Sequence, residues 1–281
     1  MLHKEFLQLL GCPECTGELD YQINFIVCKN CGSRYSIING IPDFRSIDVG
    51  SDLENLIHFW ENLEFDYDIY MQELSKEYLY AIDTPLISNV RGMVLEIGCG
   101  TARLKEKVEA ANCNYIGLDI SAEMIKKAYD DGKSNLVLGM GESLPFHDNS
   151  FDSIIGGYHS FRSIKLDSCL KECSRVLKPN GVLAFTLVNY WSLYINVLLR
   201  NIRNFRTEWV KLPSIKTKEI CNEVFWYKNE KSLLNKSGFK IVSLMSTKNF
   251  IFSKKGFHGY WNHPLGTLFG NDIIFICKNV K

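Results

Sequence analysis

Glu96, Gly98, Gly100 and Asp119 are the residues whose types and spacing most directly imply chemistry. Met93-Val94-Leu95-Glu96-Ile97 is an apolar run that enters a glycine turn at Gly98 and Gly100, and Asp119 ends a second run, Tyr115-Ile116-Gly117-Leu118. A strand that runs into such a turn and then a helix brings backbone N–H groups against a ligand. A carboxylate at the end of the next strand can grip a ribose. The chemistry implied is binding of a nucleoside. A dinucleotide fingerprint would place its third glycine at position 103, where the chain has Arg103, which weakens that alternative. Glu96 can face a cationic ligand, directly or through water, and would repel a pyrophosphate.

S-adenosylmethionine carries a sulfonium and an ammonium group, so an acid at the turn and an acid on the ribose both suit it. Three further motifs follow in order: Gly139-Met140-Gly141-Glu142-Ser143-Leu144-Pro145-Phe146, then Asn149-Ser150-Phe151-Asp152-Ser153-Ile154-Ile155, then Arg175-Val176-Leu177-Lys178-Pro179-Asn180-Gly181. Together with the turn they resemble the class I S-adenosylmethionine-dependent methyltransferases, in the branch with LPF, FD and RVLKPGG signatures. The resemblance is close over roughly residues 90 to 188 and looser to the end of the chain. It implies an α/β fold, a doubly wound, Rossmann-like seven-stranded sheet with the last strand antiparallel. It places Gly98 and Gly100 against the amino acid part of the cofactor, Asp119 on the ribose hydroxyls and Ile120 against the adenine ring. Gly141, Glu142 and Ser143 are expected to line the same pocket. Met140 stands where relatives usually carry an Asp for the adenine amino group. Asn180 replaces the first glycine of PGG, and Ala102 replaces the third small residue of the turn; asparagine also tolerates left-handed turns. A competing role for Asp119, capping the helix that begins near Ser121, is less economical because Ser121 can cap by itself.

Cys12-Pro13-Glu14-Cys15 and Cys28-Lys29-Asn30-Cys31 are two C-x-x-C knuckles separated by twelve residues. Cys12, Cys15, Cys28 and Cys31 can surround one zinc ion tetrahedrally, a site with no open position and so a structural one. Glu18 to Val27 between them reads as a hairpin. A module of this size has too little core to fold alone, so metal binding should supply much of its folding energy. The following stretch, Arg34 to Phe44, resembles the ending of Trm112-like ribbons; similar ribbons precede the methyltransferase domain of bacterial rRNA guanine-N1 methyltransferases. The zinc would then shape a substrate edge or dock a partner.

The elements that must position these residues are legible in the periodicity. Strands are expected near residues 93 to 98, 114 to 119, 135 to 139, 152 to 157, 182 to 188, 239 to 247 and 271 to 278. Helices are expected near 101 to 111, 121 to 131, 166 to 177 and 229 to 237. Such alternation predicts a parallel doubly wound sheet. The expected organisation is a zinc ribbon over residues 1–46, a helical linker or lid over 47–90, and a methyltransferase domain over 91–281 with a substrate-cap insertion at about 189–228. The 281-residue chain has 32 basic and 32 acidic residues, which gives no global attraction to nucleic acid. It lacks a long uncharged apolar run, and its start lacks a signal peptide's apolar core, so a cytoplasmic protein without a membrane span is expected. Ten cysteines in that setting are mostly thiols.

Methyl transfer from a sulfonium needs chiefly a close and aligned nucleophile. His159, just after the fourth strand of the domain, is placed to act as a base, with Tyr158 as its neighbour; packing beside the cofactor is an equal alternative for the histidine. No Asn-Pro-Pro-Tyr or Asp-Pro-Pro-Tyr motif follows that strand, which argues against methylation of exocyclic base nitrogens. The ring-rich insertion, with Tyr190, Trp191 and Tyr194, suggests an organic and partly apolar acceptor; an amphipathic surface helix, with Arg200, Arg203 and Arg206 following, is the alternative. The leading expectation is therefore transfer to oxygen or nitrogen of a small or medium organic molecule. An rRNA base methyltransferase, and a non-enzymatic nucleoside-binding or partner-regulated protein, are the alternatives. No motif names the acceptor or the oligomeric state.

Overall fold

The computed structural model describes residues 4–45, 74, 76–158, 160–162, 164–188, 227–247, 260–261 and 272–281. The first of these form α1 (Lys4–Leu7) and four short strands, β1 (Leu19–Tyr21), β2 (Phe25–Cys28), β3 (Arg34–Ile38) and β4 (Ile41–Asp43). Each is antiparallel to the next. After α2 (Lys76–Ile87) the chain alternates: β5 (Met93–Ile97), α3 (Lys105–Ala110), β6 (Asn114–Asp119), α4 (Ala122–Asp130), β7 (Leu136–Leu138), β8 (Phe151–Gly156), α5 (Leu166–Val176) and β9 (Leu177–Val188). It ends with α6 (Tyr227–Lys236), β10 (Phe239–Thr247), β11 (Tyr260–Trp261) and β12 (Asp272–Asn279).

The strands of the larger unit lie in the order β7-β6-β5-β8-β9-β12-β10, with β11 at the edge. β5 to β9 are parallel, and β12 runs antiparallel between β9 and β10, as the family resemblance implies. From β5 the chain steps outward to β6 and β7, then returns to place β8 on the other side of β5. The gap between the carboxyl ends of β5 and β8 is thus the topological switch point, where ligands of open α/β sheets bind.

Each face of the sheet is apolar and covered. Ile82 and Leu86 of α2, Val108 of α3, and Ile125 and Ala128 of α4 pack with Val94, Tyr115 and Ile155 on one face. On the other, Leu166, Cys169, Leu170 and Cys173 of α5 and Leu234 of α6 meet Leu95, Ile116, Ile154 and Phe185. Period-3.6 stripes on the helices and near-continuous apolar strands are what a doubly covered parallel sheet requires.

Apart from β9, which begins at Leu177 rather than near 182, two details differ from the sequence expectation. The helix after the glycine turn starts at Lys105 rather than 101, because Ala102 has φ of 52°, a left-handed conformation that cannot continue a right-handed helix. The ribbon, expected to shape a substrate edge or dock a partner, also packs on its own chain. β4 pairs in parallel with β7 through Asp43 and Leu138, and the Phe44 N–H donates to the Leu138 carbonyl at 2.8 Å. Phe6, Leu10, Leu19, Ile26, Tyr35 and Phe44 join the same apolar cluster as Leu144, Phe146 and Val137. β7 would otherwise be an edge with unpaired backbone groups, so the ribbon covers it.

Candidate functional site

Gly98 and Gly100 have φ of 68° and 53°, which an L side chain rarely adopts, and this bends the end of β5 across the end of β6. The Gly98 and Cys99 N–H groups donate to the Leu118 carbonyl at 2.8 and 3.1 Å. Asp119 completes the turn: Oδ2 accepts the Gly100 N–H at 2.7 Å and Oδ1 accepts the Ser121 N–H at 2.9 Å. Ser121 caps α4 itself, its hydroxyl accepting the Met124 N–H at 3.3 Å. Asp119 is therefore not needed as the cap. Each of its oxygens keeps further acceptor capacity, which is what two ribose hydroxyls demand.

Glu96 is buried, and its Oε2 accepts the Tyr115 hydroxyl at 2.5 Å. β5 and β6 are in register with Val94 opposite Tyr115, so Glu96 and Tyr115 are diagonal neighbours on one face. Burial pushes the Glu96 carboxyl up to about 8, against the lowering effect of the Tyr115 hydrogen bond and the nearby Arg103 charge. A buried acid held this far above its ordinary value is a site that a bound cation would stabilise. Between the ordinary value of 4.5 and about 8 the folded protein holds a proton that the unfolded chain releases. The stability contribution is complete below that window and lost as pH rises through it. Unliganded stability should fall across the window with a slope approaching about 1.4 kcal/mol per pH unit from this group. Glu96→Gln, which mimics the protonated form, should flatten the slope in thermal denaturation across the same pH range.

A second cluster, not singled out in the sequence, joins α2 to the turn. Asp83 is buried and accepts Arg103 in a fork, Nη1 to Oδ2 at 2.9 Å and Nη2 to Oδ1 at 2.8 Å. It also accepts Lys107 and, at 2.5 Å, the Tyr158 hydroxyl. Burial acts to raise the Asp83 carboxyl, but these partners hold it below its ordinary value. Arg103 lies over the Tyr158 ring at 4.4 Å, and Tyr158 has a left-handed φ of 51°. The tyrosine's hydroxyl and ring are thus engaged with Asp83 and Arg103, an arrangement that positions the segment after β8. The sequence signal was an acid amid the apolar face of α2, in Ala81-Ile82-Asp83. His159 lies outside the described residues.

The loop after β7 is held from two sides. Arg175 donates to the Leu144 carbonyl at 2.9 Å and the Phe146 carbonyl at 2.7 Å, while Glu172 accepts the Leu144 N–H at 2.8 Å. From the ribbon, the Gly11 N–H donates to the Pro145 carbonyl at 3.1 Å, and the His147 N–H donates to the Leu9 carbonyl at 3.0 Å. The Ser143 hydroxyl donates to the Pro13 carbonyl at 3.2 Å, beside the first cysteine knuckle. Glu142 Oε1 accepts the Lys165 N–H at 2.9 Å, at the start of α5. Gly141 packs against Ile164 and Cys169. The side chains of Glu142 and Ser143 therefore brace the loop. The Ile120 carbonyl accepts Arg45 Nη1 at 3.1 Å, and Arg45 is paired with Asp43 at 2.8 Å, so the end of the ribbon also braces the end of β6.

The Sγ atoms of Cys12, Cys15, Cys28 and Cys31 lie within 4.8 Å of one another. Cys12 and Cys31 stand 3.6 Å apart, and Cys15 and Cys28 3.5 Å. Sulfurs at zinc-bond length from a common tetrahedral centre would be about 3.8 Å apart, so the set fits zinc. The Tyr35 hydroxyl at 3.1 Å from Cys12, the Ser33 hydroxyl at 3.2 Å from Cys31 and the Asn30 N–H at 3.4 Å from Cys28 provide the outer hydrogen bonds that such ligands use.

A sequence profile described as "Methyltransferase domain" matches residues 95–185, which contain the turn, Asp119, the braced loop and the RVLK segment. A second profile, "Trm112p-like protein", matches residues 3–40, which contain all four cysteines. The chain belongs to the class I S-adenosylmethionine-dependent methyltransferases and carries a Trm112-like ribbon. A relative in Methanocaldococcus jannaschii, the uncharacterized protein MJ1252, is 31% identical over 200 residues, covering 67% of this chain and 76% of its own length. The malonyl-[acyl-carrier protein] O-methyltransferase 1 of Coxiella burnetii is 37% identical over 91 residues, covering 32% of this methyltransferase and 30% of its own length. A solved S-adenosylmethionine-dependent methyltransferase from Thermotoga maritima, described as a possible histamine N-methyltransferase, superposes with a TM-score of 0.60 at 21% identity over 80% of this chain and 100% of its own. That likeness extends to the fold. Among the described residues of this methyltransferase, no helix is long and apolar enough to cross a membrane.

Proposed function

We propose that this methyltransferase transfers the methyl group of S-adenosylmethionine to oxygen or nitrogen of a small or medium organic acceptor. In this reading Glu96, Gly98, Gly100, Asp119, Ile120 and the loop Gly141-Glu142-Ser143 form the donor site. The methyltransferase domain spans 91–281, following a ribbon over 1–46 and a linker over 47–90. The observation that carries it is the pairing of a turn at the switch point with two acids, Asp119 at its rim and Glu96 buried beneath it, which suits a cationic nucleoside. When bound, the donor supplies a methyl group already activated by the sulfonium, so the protein's task is placement. Gly98 and Gly100 give close backbone approach, and Asp119 fixes the ribose. Glu96 favours the positive end, and Asp83 holds Arg103 and Tyr158 beside the turn. His159 is proposed as the group that takes the acceptor's proton where one must leave.

The balance of 32 basic and 32 acidic residues supports a small acceptor over an extended polyanion. Cys12, Cys15, Cys28 and Cys31 are proposed to hold a structural zinc, and the ribbon to act on its own chain by bracing the loop after β7. The test is incubation with methyl-labelled S-adenosylmethionine and panels of phenols, amines, carboxylates and unmodified rRNA. Label in a small molecule supports the proposal. Label in rRNA alone, lost at raised salt, replaces it with the nucleic-acid reading.

A further inference from the structure

Ser160 opens a short 3-10 turn, Ser160–Arg162, that follows β8. Its Oγ is buried and makes no hydrogen bond in the structure. The turn folds back against the two glycines that end the central strands. A Cβ added to Gly98 would lie 2.4 Å from the Ser160 Cβ and 3.4 Å from its Oγ. One added to Gly156 would lie 3.0 Å from that Oγ and 2.1 Å from Phe161. Gly98 must therefore lack a side chain for Ser160 to sit where it does, and Gly156 for Phe161. The hydroxyl stands between the carboxyl ends of β5 and β8, at the switch point itself. An unpartnered hydroxyl buried away from water costs stability, and a structure that keeps one in a ligand cleft gains from it when a ligand supplies the partner.

Strand order indicates which part of a ligand that is. The loop after β7 and Asp119 at the end of β6 lie on one side of β5, and Ser160 lies on the other. A nucleoside whose ribose is on Asp119 has its base toward β7, so the group attached beyond the ribose extends over Gly98 toward β8. We propose that the Ser160 hydroxyl is a binding residue for the amino acid end of the donor, hydrogen-bonding its ammonium or carboxylate group where the turn packs on Gly98 and Gly156. This rests on the donor site proposed above and adds a residue that neither the glycine turn nor the later motifs contain.

The ligand series that isolates this contact is S-adenosylhomocysteine against 5′-methylthioadenosine, which keeps the nucleoside and sulfur but lacks the amino acid. In calorimetric titrations Ser160→Ala should weaken S-adenosylhomocysteine by about tenfold, the size of one hydrogen bond to a charged group, and leave 5′-methylthioadenosine within about twofold. Without ligand the variant should melt at or above the wild-type temperature, since it removes an unpartnered buried hydroxyl. Equal weakening of both ligands, or no weakening of either, would overturn the assignment. If the wild-type protein bound neither, the donor site itself would be misplaced and Ser160 with it.

Discussion

Replacing Asp119 by alanine is expected to weaken S-adenosylhomocysteine binding by about 100-fold or more. Two hydrogen bonds from ribose hydroxyls to a carboxylate are each worth roughly 1.5 to 3 kcal/mol, and every 1.4 kcal/mol is about tenfold in affinity. The same substitution orphans the N–H groups of Gly100 and Ser121, which Asp119 accepts at 2.7 and 2.9 Å. Unliganded stability should therefore fall as well, by about 2 kcal/mol. Calorimetry and thermal denaturation read the two effects separately. Asp119→Asn distinguishes their causes: it keeps the shape and one acceptor oxygen, so it should recover part of the stability while binding stays weak. An Asp119→Ala protein that binds within about threefold of wild type would remove the carboxylate from the donor site.

The second large effect should come from the metal. Small zinc modules draw on the order of 10 to 16 kcal/mol from zinc binding. Here the ribbon shares one apolar cluster with the methyltransferase sheet and covers the β7 edge. Chelation, or Cys12→Ser, should unfold the ribbon and strip away Gly11, Pro13 and Arg45, the partners of Pro145, Ser143 and Ile120. A drop in melting temperature of about 10 °C is expected, corresponding to roughly 3 kcal/mol for a chain of this size. S-adenosylhomocysteine should bind about tenfold more weakly, because the loop after β7 and the end of β6 lose their bracing. Metal analysis should find one zinc per chain in the untreated protein. A zinc-free protein with unchanged melting and unchanged binding would show that the ribbon neither holds a structural metal nor supports the donor site.

What was legible in the sequence was local. The apolar runs into Gly98 and Asp119 placed β5 and β6, and the knuckle spacing brought four sulfurs together, because both signals are carried by residues near one another in the chain. Asn180 in a left-handed conformation, with φ of 60°, was likewise readable from the motif glycine that it replaces. The later start of α3 was not, since Ala102 looks like a helix former and its left-handed φ is imposed by the turn before it.

The long-range partners were hidden for a different reason. Ser143 and Pro13 are separated by 130 residues, and no periodicity shows that a serine in the cofactor loop will bond to a zinc knuckle. Glu142 beside a glycine gives no sign that its side chain will accept the Lys165 N–H at the start of α5. Asp83 has three kinds of donor converging on it from the turn, from α3 and from the segment after β8. Its role exists only once the sheet has stacked α2 against those elements. Parallel sheets scatter a site over strand ends far apart in sequence, so motifs report its parts and tertiary packing reports how they are joined.

A crystal structure of the protein grown with S-adenosylhomocysteine tests the donor site most directly. The expected complex has both ribose hydroxyls on Asp119, the adenine beside Ile120 and Gly141, and the amino acid end over Gly98 toward Ser160. Nucleoside density anywhere else, or a ribose out of hydrogen-bond reach of Asp119, would contradict it.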